Sequence, residues 1–584
     1  MGTISDKLMR IINTKEDIRQ ALISKGYDVP TSIPFKEYAK MISDLPCRVD
    51  SFPDIEGIVA RYSALGLTNE QMAANPVWVD KTGNGHDLQM KNFAWKEGSG
   101  ISDIYPGALV FDGVDDYGAC DNFPILTKEK GYTVVALRQW ISMGEEISGL
   151  VSNVKNWFND GAFVLEYNSN NATNKFVNRP VSFGNVNIEM DLPNNFTYQT
   201  SKSYKGVPIT TGSFKGTNSL FVGKLNNIIG NCSNVAIWEL VFLDHDATEE
   251  ELTKIKDYFV KTYPWLFPDQ AWTVTGKTNE DEDRATIANI TGNGNDLVLS
   301  NFGFAEGSGY GLYAENYSNS RWFINNSITA TKKSDTFNVT SINQVAVQIQ
   351  YIAELSQSPY TVPSYTIKVT GLTDGQTVNY RVSGGISYPI TQDGIYILPG
   401  FDFAGMGSWY GFQFNKVQET CDITIEQIPE YEGYLITDGV DDIASSNTII
   451  YEADFTFIGE WKFIQKDDTV AGINSSSHLY IQNRYNRGAT VMINSTFENK
   501  KNITDYMTFK AITSKGKAYD ENWNEVDLLY GDGNKGPSGV NIGGQGGTEF
   551  CHMIFKNMAL YMNKVFSKDD CIKAYNYLQT LKAK

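Results

Sequence analysis

Thr82-Gly83-Asn84-Gly85-His86-Asp87-Leu88 is answered later in the chain by Thr291-Gly292-Asn293-Gly294-Asn295-Asp296-Leu297. The echo continues through Asn92-Phe93 and Asn301-Phe302 to Glu97-Gly98-Ser99-Gly100 and Glu306-Gly307-Ser308-Gly309. A second phrase, Asp112-Gly113-Val114-Asp115-Asp116, returns as Asp438-Gly439-Val440-Asp441-Asp442. A third, Thr248-Glu249-Glu250-Glu251-Leu252, is matched by Ser567-Lys568-Asp569-Asp570-Cys571. Shared segments in one order mean two copies of one domain. The second phrase is displaced much further than the first, so the second copy carries an insertion large enough to be a small domain. The expected organisation is a segment over 1–50, a first copy over 51–267, a second, discontinuous copy over 268–312 and 431–584, and an insert over 313–430.

Between the landmarks, short alternating runs separated by Gly, Asn and Asp predict an all-β fold of sandwich type. Examples are Tyr132–Leu137, Gly161–Tyr167 and Ser219–Gly223. Each copy then closes on an amphipathic helix, with Leu252, Ile255 and Phe259 lining one and Ile572, Tyr575 and Leu578 the other. The insert alternates cleanly over Tyr365–Val369, Gly394–Leu398 and Cys421–Ile425, which predicts a small β-sandwich of immunoglobulin-like kind.

The opening segment has a different texture. Ile4, Leu8, Ile11, Ile18 and Leu22 fall on alternating four-three spacing, with Lys15 at the remaining seam position. Fewer than 50 residues bury too little surface to stand alone. The stripe therefore predicts oligomerisation or anchoring, with the chain itself as dimer or trimer partner, or another protein. Phe35, Tyr38, Met41 and Ile42 mark a second short helix.

Composition excludes several classes. A net charge of −19 over 584 residues opposes nucleic-acid binding, which needs cations to displace counterions from phosphates. No run approaches the roughly 18 apolar residues of a membrane span, and Met1–Asp6 lacks the basic and apolar regions of a signal peptide. Six cysteines stand singly and read as buried thiols.

Trp78-Val79-Asp80-Lys81 leading into Thr82–Leu88, the phrase Phe111-Asp112-Gly113-Val114-Asp115-Asp116-Tyr117 and the closing helix together resemble the LamG/concanavalin A-like jelly-roll family. That resemblance implies two-sheet jelly-roll sandwiches, often binding glycans or proteins and sometimes hydrolysing polysaccharides. Lys15-Glu16-Asp17-Ile18-Arg19-Gln20-Ala21-Leu22, Lys25-Gly26 and Phe35–Tyr38 resemble the opening of bacteriophage fibre and tail-associated proteins. The whole chain is similar in texture to virion surface proteins of crAss-like and other Bacteroidetes phages. This implies synthesis in the bacterial cytoplasm, a place on the virion surface, and capsid, portal or tail components as partners. A head fibre is favoured over a tail fibre, because no long shaft of repeats is present.

Catalytic chemistry is sought and not found in the pattern. Retaining and inverting glycoside hydrolases need two placed carboxylates. The nearest E-x-D-x-E match, Glu189-Met190-Asp191-Leu192-Pro193, loses its third acid to Pro193. Glu280-Asp281-Glu282-Asp283 reads as a solvated loop. His86, His245, His478 and His552 show no ligand spacing and read as surface or turn residues. The two Asp-Gly-Val-Asp-Asp phrases read as tight turns, being too short for a calcium loop of about twelve residues, with calcium the open alternative. No catalytic residue, metal ligand or cofactor is assigned. For host glycans the candidate platforms are Trp140, Trp157, Trp409, Tyr410 and Trp523, among which the sequence does not choose. The expectation is a non-enzymatic, oligomeric structural protein of a phage exterior. A glycan-binding adhesin is the alternative and a polysaccharide hydrolase the third.

Overall fold

The computed structural model describes residues 52–142, 148–155, 163–168, 176–178, 186–188, 195–208, 216–226, 232–304, 307–352, 360–373, 375–383, 386–403, 409–464, 470–475, 478–484, 488–493, 508–528, 530–531, 536–545 and 549–583, with Lys15, Arg19 and Pro34. The seam residues Ile4, Leu8, Ile11, Ile18 and Leu22 lie outside the described residues, as do Glu189, Asp191 and Trp157. Two compact units divide the chain: 1–56 with 249–258, and 57–248 with 259–584. In the first, Lys254 and Glu250 pair across one helical turn at 2.8 Å, and Phe52 meets Tyr258 edge-on at 4.9 Å between ring centroids. The second unit is mainly β and built of antiparallel sheets.

In the first copy, one sheet runs in the order Val207–Pro208, Ser203–Tyr204, Phe196–Thr200, Thr133–Ser142, Asn234–Leu243, Leu109–Asp112, Gly100–Ile101. Ile58–Ser63 also pairs with Asn234–Leu243. The facing sheet runs Val186–Ile188, Phe176–Asn178, Val164–Asn168, Ser148–Ser152, Leu220–Val222, Tyr117–Cys120, Leu88–Lys91, Val77–Trp78. Side chains of both sheets, such as Tyr62, Phe111 and Phe242 from one and Trp78, Leu88 and Leu150 from the other, meet in a single core.

The second copy repeats this order, except that no strand among the described residues matches Val186–Ile188. Its first sheet runs Glu525–Asp527, Lys517–Tyr519, Ala511–Thr513, Phe455–Phe463, Met553–Met562, Glu430–Ile436, Gly309–Leu312, with Gln270–Thr273 also on Met553–Met562. The second runs Gly488–Ile493, Leu479–Arg484, Val470–Ser475, Asn541–Ile542, Ile443–Ser445, Leu297–Ser300, Thr286–Ile287. Even a bulge is shared: Trp238 is the unpaired residue of the first copy's long central strand, and Lys556 that of the second. A bulge re-aims one side chain and is kept where that aim matters.

The phrase that opened the sequence reading is the turn that enters each second sheet. Asp80 Oδ1 accepts from Arg61 N and Thr82 N at 3.0 Å each, and Asn289 Oδ1 accepts from Ala271 N at 3.3 Å and Thr291 N at 3.1 Å. Asn84 and Asn293 each donate a side-chain N–H to a neighbouring carbonyl, Val59 and Asp269. Gly83, Gly85, Gly292 and Gly294 all have φ between 73° and 80°, which a residue without Cβ adopts freely.

The insert lies between Gly309–Leu312 and Glu430–Ile436, which are themselves paired neighbours. It holds two five-stranded sheets, Trp322–Ile324, Val347–Ile352, Trp409–Phe414, Val378–Val382, Ile386–Ile390 and Ile328–Lys332, Thr336–Ile342, Ile423–Ile428, Tyr365–Thr370, Gly394–Leu398. Between them Trp322, Phe337, Tyr410, Phe412 and Ile425 form a separate core. After the last strand, Ser567 caps the helix Lys568–Gln579 by accepting from Asp570 N at 3.2 Å. That helix reaches the first copy: Asn195 Nδ2 donates to Tyr577 Oη at 2.8 Å, and Gln139 Nε2 to Thr580 Oγ1 at 3.0 Å.

Candidate functional site

The acidic phrases form the same turn in both copies. Asp112 Oδ1 accepts from the backbone of Val114 at 2.8 Å and Asp115 at 3.2 Å, while Asp116 Oδ2 accepts from Asp112 N at 3.1 Å. In the second copy Asp438 Oδ1 accepts from Val440 N at 2.8 Å, and Asp442 Oδ2 from Asp438 N at 2.8 Å. Asn92 and Asn301 fasten the turns, donating to the carbonyls of Asp115 at 2.9 Å and Asp441 at 2.8 Å. Asp116 and Asp442 are wholly buried. Burial, with Asp112 and Asp438 nearby, pushes their carboxyls up to about 6 and about 7 respectively. One oxygen from each of Asp112, Asp115 and Asp116 lies within 4.8 Å of the others, and likewise for Asp438, Asp441 and Asp442. These are the acid groups that could hold a cation among the described residues; the turn's own N–H groups satisfy Oδ2 of Asp116 and of Asp442, while Oδ1 of each is buried without a hydrogen-bond partner.

The other sequence candidates separate cleanly. Glu280–Asp283 is a surface turn, with Asp281 capping Thr278 and Asp283 paired to Lys277 at 2.6 Å. His478 lies in a turn, as expected, but is not at the surface: it is buried and stacks on Tyr451 at 4.7 Å between centroids. Cys120, Cys232, Cys551 and Cys571 are buried free thiols and Cys421 a partly buried one. Among the aromatic platforms, Trp140 is core, giving its Nε1–H to Glu166 at 2.8 Å. Tyr410 is core too, its hydroxyl donating to Glu315 at 2.6 Å. Trp409 is part-exposed beside Arg381, 5.9 Å from its ring centroid.

Trp523 stands apart. It is part-exposed and its φ is +62°, a left-handed value that a bulky side chain rarely takes. The turn that imposes it is built on Asp520, a buried residue whose Oδ1 accepts from Asn522 N and Asn524 N at 2.8 Å each. Asn524 Nδ2 also donates to Asp520 Oδ2 at 3.0 Å, and Trp523 N donates to Asp520 O at 3.0 Å. Strain of this kind is held by its surroundings and clusters at working sites. Tyr575 of the closing helix meets Trp523 edge-on at 5.6 Å. Lys510 Nζ lies 5.5 Å from the Trp523 ring centroid and 4.9 Å from that of Tyr575.

The face continues across the sheet. Tyr434, Lys556 and Glu460 stand side by side on three adjacent strands. The Tyr434 hydroxyl donates to Glu460, and Lys556 Nζ is 3.7 Å from the same carboxylate. Burial and the Glu460 charge push the hydroxyls of Tyr434 and Tyr575 above the ordinary tyrosine value. Tyr519, beside Trp523, is pushed up to about 12, chiefly by burial. Together these groups make a mixed aromatic and charged surface of the sort that stacks and hydrogen-bonds a polar ring. A separate opening of about 530 Å³, where the insert joins the second copy, is lined by Tyr313, Thr361, Pro363, Thr366, Pro429 and Glu430 among others. Tyr313 there is surrounded by Asp335, Glu426, Glu432 and Glu280.

The first copy's register places Ala108, Trp238 and Leu137 where the second has Tyr434, Lys556 and Glu460. All three are fully buried. Trp238 is fixed by its Nε1–H, which donates to Pro106 O at 2.9 Å. Pro106 belongs to the short connection that the insert replaces in the second copy. The insertion thus removes the carbonyl that anchors a buried Trp, and a lysine occupies the vacated bulge.

No protein-family model matches this sequence, and no curated protein is similar to it. Among solved structures, Trypanosoma rangeli sialidase in complex with sialic acid superposes over 36% of this chain and 34% of its own, at 11% identity and a TM-score of 0.25. The HCR/D F1240A mutant superposes over 64% of this chain and 97% of its own, at 7% identity and a TM-score of 0.26. A structure concerned with botulinum neurotoxin type C, whose cell entry is dependent upon interaction with two ganglioside molecules, covers 64% and 98% at 11% identity and a TM-score of 0.25. The match spans about a third of the length of the sialidase. At these TM-scores the likenesses carry no argument about this chain.

Proposed function

We propose that this chain is a non-enzymatic glycan-binding protein whose sandwiches serve as rigid, surface-presented modules. The observation that carries the reading is Trp523, held at φ +62° by the Asp520 turn with Tyr575 edge-on beside it. A strained aromatic that is part-exposed in a hydrogen-bonded turn between the strands Lys517–Tyr519 and Glu525–Asp527 is a platform held in place, so little ordering is left for the moment of binding. The strand order common to both copies supports the jelly-roll reading of the LamG-like resemblance. In this reading the chain sits on a phage virion exterior, a head fibre before a tail fibre, with its N-terminal stripe joining copies or docking to capsid, portal or tail proteins. That part rests on the resemblance of the N-terminal residues.

A glycan array probed with the full chain and with Trp523→Ala tests the binding role. Retention of glycans by the parent and at least tenfold weaker retention by the variant are expected. Equal retention would remove Trp523 from the site. Turnover of any retained polysaccharide would overturn the non-enzymatic reading. Mass spectrometry of purified virions, with immunogold labelling, tests the location; absence of the chain from particles would end the fibre reading.

A further inference from the structure

We propose that the sugar held at the Trp523 face is an anionic one, bearing a carboxylate or a sulfate, and that Lys510 is its charge partner. The inference rests on the glycan reading above and adds the class of ligand.

Acids outnumber bases 68 to 49 in this chain, so an available lysine ordinarily finds a carboxylate. Nearby lysines do: Lys556 lies 3.7 Å from Glu460, Lys517 2.6 Å from Asp527, and Lys515 2.6 Å from Asp454. Lys510 does not, among the described residues. Its ammonium instead overlies two rings, Trp523 and Tyr575. The Lys510 main chain is held in the sheet, with Lys510 N donating to Tyr519 O at 2.9 Å and Lys510 O accepting from Gly459 N at 3.0 Å, so its side chain starts beside both rings.

Ring faces attract a cation but leave its hydrogen-bonding demand unmet, because an ammonium has three donors and a ring supplies no lone pair. An ammonium flanked by aromatic rings also meets less competing water than one in bulk solvent, so an anion placed there gains more. A sugar ring stacked on Trp523 would carry its substituents within reach of Lys510. Neutral hydroxyls would serve that ammonium weakly, whereas an equatorial carboxylate or sulfate would make a charge-assisted hydrogen bond. The surrounding net negative charge repels anions at long range. Selectivity therefore resides in this one contact, and the on-rate gains no steering from the rest of the surface.

The test is calorimetric titration of the full chain with three oligosaccharide sets of equal length: neutral, uronate-bearing and sulfated. The parent, Lys510→Met, Lys510→Arg and Trp523→Ala are compared, with near-UV circular dichroism as the check on folding. The parent should bind one anionic set at least about fivefold more tightly than the neutral set, from the range of exposed to partly desolvated ion pairs. Lys510→Met should erase that preference, weakening the anionic set at least about fivefold relative to the neutral set. Lys510→Arg should keep it, and raising salt from 50 to 500 mM should shrink it. The two anionic arms separate carboxylate from sulfate. Trp523-dependent binding with no anionic preference, or a preference unchanged in Lys510→Met, would overturn this inference and leave the glycan reading standing. Failure of all three sets to bind would overturn both. Should Lys510→Met unfold, salt dependence in the parent and in Lys510→Arg decides: a salt-insensitive preference overturns the assignment.

Discussion

The two copies share their strand order, apart from the first copy's extra Val186–Ile188, and differ in where they put their charges. The first keeps charge inside. Arg138 and Glu166 are both buried, joined through Arg138 Nε to Glu166 Oε2 at 2.7 Å, with Trp140 and Tyr204 also donating to the carboxylate. The second has Trp461 and Phe463 at the positions of Arg138 and Trp140. It keeps charge outside, as Glu460, Lys556 and Lys510, the first two at positions that buried Leu137 and Trp238 hold in the first copy. Backbone order therefore tolerates exchange between a buried ion network and an aromatic core, provided each interior is filled, even though the Trp461 indole N–H is buried without a hydrogen-bond partner. It also tolerates a whole sandwich inserted into one hairpin connection, because the ends of that connection are already neighbours.

The sharpest way to break the comparison is to remove one partner of the buried pair. Glu166→Gln leaves Arg138 charged in the first copy's interior, and such changes cost about 3–5 kcal/mol. Denaturant unfolding should show it as a loss in the first copy's transition. The pH dependence provides a second signature. Burial alone would raise the Glu166 carboxyl, but Arg138 outweighs that and holds it at about 2, below its ordinary value of 4.5. A lowered folded-state value means that the contribution is fully present above about 4.5 and is lost as pH falls through about 2. That acid limb should vanish in Glu166→Gln. An unchanged acid profile would show that the pair does not set the first copy's stability.

Matched truncations at the bulge test the second half of the contrast. Leu137→Ala empties a fully buried site and should cost about 2–5 kcal/mol. Its counterpart Glu460→Ala touches a part-exposed side chain, and less than about 1 kcal/mol is expected, as for most surface positions. Thermal or denaturant unfolding of the two variants decides between them. Equal losses would mean that Glu460 is a structural member of the sheet and not part of an open binding face.

How much of this could be read from the residues follows the same division. The turns were legible because their geometry needs particular residues: Gly83, Gly85, Gly292 and Gly294 mark left-handed positions, and Thr82 and Thr291 cap them. Alternation gave the half-buried strands, as in Leu88–Lys91 and Ile423–Ile428. The displaced second phrase gave the insertion. Thr133–Ser142 and Asn234–Leu243 are different, being covered on both faces, so continuous burial erases the alternation that would tell outer from inner side chains. The replacement of Trp238 by Lys556 carries no local signal for the same reason. Trp523 could not be chosen over Trp140, since exposure depends on what tertiary structure lays over each ring. Arg138 and Glu166 meet only through strand order, and His478 is buried by the same kind of distant contact. The N-terminal stripe, from Ile4 to Leu22, is legible as a pattern and lies outside the described residues.

The smallest expected effect is also the most direct test that the copies are equivalent where their sequences agree. Asn92 and Asn301 occupy left-handed backbone, with φ of 69° and 71°, and each donates one hydrogen bond to the acidic turn. Replacing either by Ala sacrifices the bond and places a residue with a Cβ, but without asparagine's tolerance, in that conformation. The hydrogen bond is worth about 0.5–1.5 kcal/mol and the backbone a further ~1 kcal/mol. Asn→Gly should recover the backbone part, although the greater freedom of glycine in the unfolded chain takes back some of that gain and the hydrogen-bond loss remains. The four variants, Ala and Gly at each position, therefore form two pairs with the same order and the same gap. Measured by denaturant unfolding, the pairs should agree within about 0.5 kcal/mol, because the sites are far apart and share no partners. A gap at Asn92 without one at Asn301 would mean that the insert has relaxed the second acidic turn, so that its matching geometry no longer carries matching energy.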